Sequence, residues 1–94
     1  MATQKLMVVE DNQFMRALIS ELLEKQGFEV QAVDTTSAAV KLASSFDPDA
    51  AILDVELGTG PNGFDLARIL RESNPEIGLL FLTNIPEPKT IGVD

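Results

Sequence analysis

Lys5-Leu6-Met7-Val8-Val9 is an unbroken run of strand length, apolar after its first residue, that stops sharply at Glu10-Asp11-Asn12. Continuous rather than alternating apolar residues suit a strand covered on both faces, as in a parallel sheet. Ala50-Ala51-Ile52-Leu53 repeats the pattern and also stops at a carboxylate, Asp54. Ile77-Gly78-Leu79-Leu80-Phe81-Leu82-Thr83 repeats it a third time and ends in a hydroxyl. Phe28-Glu29-Val30-Gln31-Ala32-Val33 alternates instead, which places it at or near a sheet edge with one wet face.

Between these runs the apolar period lengthens to three and four. Phe14, Met15, Leu18, Ile19, Leu22 and Leu23 form one stripe and predict a helix from about Gln13 to Gln26. Asp11 or Asn12 caps its start, and Gly27 suits the residue just past its end. A second helix is predicted over Ala38–Phe46, with caps on offer from Asp34 to Ser37 and with Ala39, Val40, Leu42, Ala43 and Phe46 inward. Asp47-Pro48-Asp49 breaks it. The third is predicted over Phe64–Ser73, with Phe64, Ala67 and Leu70 on one face, Leu66 and Ile69 beside them, and Asn74-Pro75 as its stop. The order β-α-β-α-β-α-β predicts a parallel sheet with right-handed crossovers. Residues 85–94 hold two prolines and no helical period, and are expected to form a non-helical tail. A strand as apolar as 77–83 calls for cover on both sides, which nothing after it supplies. The chain is therefore expected to be cut short or completed by another molecule.

Composition narrows the chemistry. The 94 residues make one small domain, and a formal charge of −8 disfavours nucleic acid or an anionic membrane as partner. No apolar run is long enough to span a bilayer, no signal peptide is visible, and the absence of cysteine fits a cytoplasmic setting. Cysteine and histidine are both absent. Thiolate metal sites, Ser-His-Asp triads and histidine acid–base catalysis are thereby excluded from these residues. Any metal must be held by oxygen, which points to magnesium or calcium.

The strand ends carry the candidate chemistry. Ligands in open α/β sheets bind at the carboxyl edge of the strands, and Glu10, Asp11, Asp54 and Thr83 all fall there. An ionised acid directly after four apolar residues costs free energy unless a cation or a hydrogen-bond donor receives it. Neighbouring strands lie about 4.8 Å apart, so Glu10, Asp11 and Asp54 come within reach of one cation. Mg2+ fits best, because it is hard and holds only one or two carboxylates while keeping waters. A carboxylate can also accept a phosphoryl group as an aspartyl phosphate. Plainer roles exist for each residue: a helix cap for Asp11, a solvated charge for Glu10, a strand former for Thr83. Arg16 and Lys25 read as surface charges of the first helix, and Phe14 as a core residue near the acidic edge.

Val8-Val9-Glu10-Asp11-Asn12 with Arg16, then Ile52-Leu53-Asp54, then Phe81-Leu82-Thr83, resembles the receiver domain of two-component response regulators over Lys5 to Asn84. The resemblance implies a flavodoxin-like three-layer sandwich, with sheet order 2-1-3-4 here and the family's fifth strand and last helix missing from the chain. It implies a signalling module and not an enzyme, with Asp54 taking phosphoryl from a sensor histidine kinase or phosphotransfer protein. Asp11 would bind Mg2+ directly, Glu10 through a metal-bound water, and Glu56 through its backbone carbonyl, with Asp54 completing the metal set. Thr83 would hydrogen-bond the phosphoryl group and move inward. Gly58 stands where the family usually has proline, Gly63 comes one residue later than the usual glycine, and Asn84 replaces a small residue. The lysine of the family's fifth strand has no counterpart, since Lys89 comes too early. A phosphorylation-independent interaction or dimerisation module on the same fold is the competing reading. A flavin or nucleotide carrier lacks the phosphate loop after the first strand. The apolar edge of 77–83 is further expected to pair with a second copy, through that strand or the tail.

Overall fold

The computed structural model describes residues 3–57 and 60–82. β1 (Lys5–Val9), β2 (Glu29–Val33), β3 (Ala50–Asp54) and β4 (Gly78–Leu82) form one parallel sheet in the order β2-β1-β3-β4. Three helices connect them: α1 (Gln13–Lys25), α2 (Thr36–Phe46) and α3 (Gly63–Ser73). α1 packs on β1 and β2, while α2 and α3 pack on each other, on β1 and on β3. The two central strands are the most apolar. Met7, Val8, Val9, Ala51 and Leu53 are fully buried, and Met7, Val9, Ala51 and Leu53 share a core with Leu66 and Leu70 of α3 and Ala39 of α2.

The helix ends follow their local chemistry. Asn12 caps α1 by accepting the Met15 N–H at 2.9 Å. Gly27, with φ +97°, closes the helix: its N–H donates to the Glu24 carbonyl and the Phe28 N–H to the Leu23 carbonyl. Thr35 caps α2 two residues earlier than the apolar period predicts, so Thr36 and Ser37 are helical. Asn62 and Asp65 form a reciprocal capping box at α3, which begins at Gly63 rather than Phe64.

Several side chains expected in the core lie outside it. Phe14 is 73% exposed, and α1 buries none of its residues completely. Val40 is exposed because α2 buries Ala39 and Phe46 instead, and Phe64 and Ile69 are exposed because α3 presents Gly63, Leu66, Ala67 and Leu70 to the sheet. β4 borders the sheet among the described residues, leaving Leu80 63% exposed. Gly58, Thr83, Asn84, Lys89 and the tail 85–94, on which expectations were placed, lie outside the described residues.

Candidate functional site

Register builds the site. Val9 pairs with Leu53, so Glu10 and Asp54 are the next residues on adjacent strands, both at the carboxyl edge. The Glu10 N–H donates to the Val33 carbonyl at 3.1 Å, carrying the β1–β2 ladder one step further. Its side chain turns back, and Oε1 accepts the Asn12 N–H at 3.1 Å. Asp54 makes the corresponding turn on β3, Oδ1 accepting the Glu56 N–H at 3.1 Å. Each acid is thus held by the backbone two residues on, which fixes the carboxylate while the chain leaves the sheet.

Carboxylate oxygens of Glu10, Asp11 and Asp54 lie within 4.8 Å of one another. Glu10 and Asp54 are each only 7% exposed, and Asp11 is exposed. Burial pushes the Glu10 carboxyl above its ordinary range; the Asn12 N–H opposes this, and the charges of Asp54 and Asp11 reinforce it. Burial raises Asp54 as well, against the Glu56 N–H and a hydrogen bond from Glu10, with Asp11 adding to the rise. The cluster therefore holds its full negative charge at a cost. The acids open onto a cavity of about 700 Å³ whose floor is acidic and whose walls include Met15, Ile19, Leu57 and Leu82. Glu56 is exposed and also lines this cavity, but its carboxylate stands outside the three-acid cluster.

A family profile for the response regulator receiver domain matches residues 6–92. The chain belongs to that family. This receiver is 35% identical over 78 residues to the photosynthetic apparatus regulatory protein RegA of Rhodobacter capsulatus, a match covering 83% of the chain and 41% of RegA. It is 33% identical over 95 residues to the CAI-1 autoinducer sensor kinase/phosphatase CqsS of Vibrio cholerae, covering 96% of the chain and 13% of CqsS. The CheY-like response regulator receiver domain from Methylobacillus flagellatus superposes with a TM-score of 0.82 at 26% identity, over 89% of this chain and 72% of that one. The receiver thus spans less than half the length of RegA and of CqsS. The flavodoxin-like architecture and the sheet order expected from the sequence are those observed. Receiver domains carry Mg2+ at an acidic pocket, and the clustered oxygens here form a hard donor set of that kind. Among the described residues, no helix is long and apolar enough to cross a membrane.

One polar side chain at this edge is not the surface charge expected of it. Arg16 is half-buried, and its Nη1 donates to the Glu10 carbonyl at 2.9 Å and the Asp11 carbonyl at 3.5 Å. Lys25, by contrast, is a surface charge as expected, paired with Glu21 at 3.4 Å. The sequence signal for Arg16 is its place one turn inside α1, from which a long side chain can reach back over the helix start.

Proposed function

We propose that this receiver is a Mg2+-dependent phosphoacceptor in a two-component relay, with Asp54 as the acceptor. The observation that carries the reading is the three-acid cluster itself. A module that had abandoned phosphate would gain stability by losing one of those repelling carboxylates. Glu10, Asp11 and Asp54, with the backbone carbonyl of Glu56, are the groups we assign to the metal. When bound, Mg2+ would neutralise charge on the carboxylates and on the incoming phosphoryl oxygens.

The chain's own residues do the rest. A carboxylate oxygen of Asp54 attacks phosphorus, forming an acyl phosphate; the bond from phosphorus to the donor's imidazole nitrogen breaks, and that nitrogen keeps the electron pair. The Glu56 N–H holds Asp54 in one orientation, so little rotation need be frozen at the moment of transfer. Thr83 is assigned the hydrogen bond to the phosphoryl group, and the loops after β3 and β4 the rearrangement read by a partner. The donor on this reading is a cytoplasmic sensor histidine kinase or phosphotransfer protein, and the receiver is a switch rather than an enzyme. Self-association through the β4 edge, where Leu80 stands exposed, is part of the same proposal.

The test is incubation of the full chain with Mg2+ and acetyl phosphate, followed by intact mass measurement. The expected result is a gain of one phosphoryl group that is labile to base and absent in Asp54→Asn and in EDTA. Equal modification of wild type and Asp54→Asn, or none in either, would sink the reading.

A further inference from the structure

We infer that Arg16 is a positioning residue for the metal cluster, holding the β1–α1 turn so that Glu10 and Asp11 present their carboxylates to one ion. The inference rests on the metal-binding reading above and extends it to a group that touches neither metal nor phosphoryl.

Glu10 has three polar ends and each is held. Its N–H donates to Val33, its Oε1 accepts from Asn12, and its carbonyl accepts from Arg16 at 2.9 Å. The first two bonds belong to the sheet and to the turn itself. Only the third reaches in from a helix, and the same nitrogen approaches the next carbonyl, that of Asp11. Arg16 is itself anchored, since its N–H closes the first turn of α1 on the Asn12 carbonyl at 2.9 Å and its carbonyl accepts the Ser20 hydroxyl at 2.8 Å. The guanidinium therefore ties the two acid-bearing peptides to a rigid helix.

What Arg16 does not touch is as telling. Among the described residues no ion pair joins it to a carboxylate within 4.0 Å, although the carbonyls it binds belong to two of the clustered acids, Glu10 and Asp11. Its charge lies on the backbone side of the turn, and the carboxylates are left open to the cavity. An arginine aimed into the cluster would compete with a cation; one aimed at the carbonyls fixes the ligands instead. Guanidinium suits this because its nitrogens form a planar fork, whereas a lysine ammonium is a single point donor on a flexible stem.

Two effects of the guanidinium oppose each other. Its positive charge repels a bound cation, and its clamp preorganises the ligands. They are separable by substitution, since Arg16→Gln removes both and Arg16→Lys keeps the charge while loosening the clamp. Mg2+ affinity is read by calorimetric titration, with melting temperatures measured in metal-free buffer alongside. If the clamp dominates, Arg16→Gln weakens Mg2+ binding by about tenfold, the lower range for groups that orient metal ligands, and Arg16→Lys weakens it less. The initial rate of modification by acetyl phosphate falls at limiting Mg2+ and returns to within about twofold of wild type at saturation. A residue that merely stabilised α1 would lower the melting temperature and leave the affinity alone. Unchanged or tightened Mg2+ binding in Arg16→Gln, beside a wild type that binds normally, overturns the role of Arg16. A wild type that binds no Mg2+ overturns the metal reading on which it stands.

Discussion

Gly63 shows how tightly one residue can tie the site to the scaffold. A Cβ there would collide with the Asp54 carbonyl oxygen and stand 3.0 Å from Val55 Cα, and the Gly63 N–H donates to the Val55 carbonyl at 2.8 Å. The first turn of α3 therefore sits directly on the peptide that follows Asp54. Backbone cannot yield as a flexible side chain can, so Gly63→Ala should cost about 1–3 kcal/mol, the range for overpacking, read as a lowered urea midpoint. It should also slow acetyl phosphate modification more than a surface Gly→Ala at Gly27 does, because the displaced peptide carries Asp54. At Asp54 itself the sign reverses. Asp54→Asn removes one of three clustered negative charges, so the metal-free variant should melt higher than metal-free wild type, and added Mg2+ should stabilise it less.

At the scale of elements, polarity switches make the strand ends legible, and the candidate site lies at the strand ends. An apolar run that ends in a carboxylate marks where a buried strand meets solvent, which sets Glu10 and Asp54 at the strand ends, and register follows from parallel pairing. What depends on helix rotation was not legible. Phe64, Val40 and Ile69 fit an apolar stripe by spacing, yet the stripe is wider than the face each helix buries, and only docking decides which residues win. Gly63 decides it for α3: its lack of a side chain lets the helix start approach β3, turning Leu66, Ala67 and Leu70 inward and leaving Phe64 against Phe81, ring centroids 4.8 Å apart. Arg16 departs from the surface charge that its spacing predicts for a related reason. Spacing puts a residue on a helix face, but not the path of the preceding loop whose carbonyls it meets. The capping box at α3 bears on Asp54 through the same helix start. Asn62→Ala, which leaves the Asp65 N–H without its 2.9 Å partner, should destabilise by about 1 kcal/mol, and Asn62→Asp should restore most of it.

For the molecule as a whole, the acids couple folding to protons, and on the proposed function to Mg2+ as well. Glu10 and Asp54 both titrate above their ordinary values of 4.5 and 3.8 in the folded state. The unfolded chain, with ordinary values, binds fewer protons between those values and the raised ones. Folded-state stability from this pair is therefore greatest below the ordinary range and is lost as pH rises through the raised values. Metal-free protein should accordingly gain stability from this pair as neutral buffer is made mildly acidic, and Asp54→Asn should flatten that gain, since it removes one member of the pair. Mg2+ runs the other way. It requires the carboxylates ionised, so the increment in melting temperature it gives should be largest near neutrality and shrink on acidification as protons displace it. Melting curves across that range, with Mg2+ and with EDTA, should converge toward acid and separate toward neutrality. Curves that stay parallel would mean the ion binds elsewhere on a surface carrying a net charge of −8, where screening by monovalent salt would erase the increment in wild type and in Asp54→Asn alike.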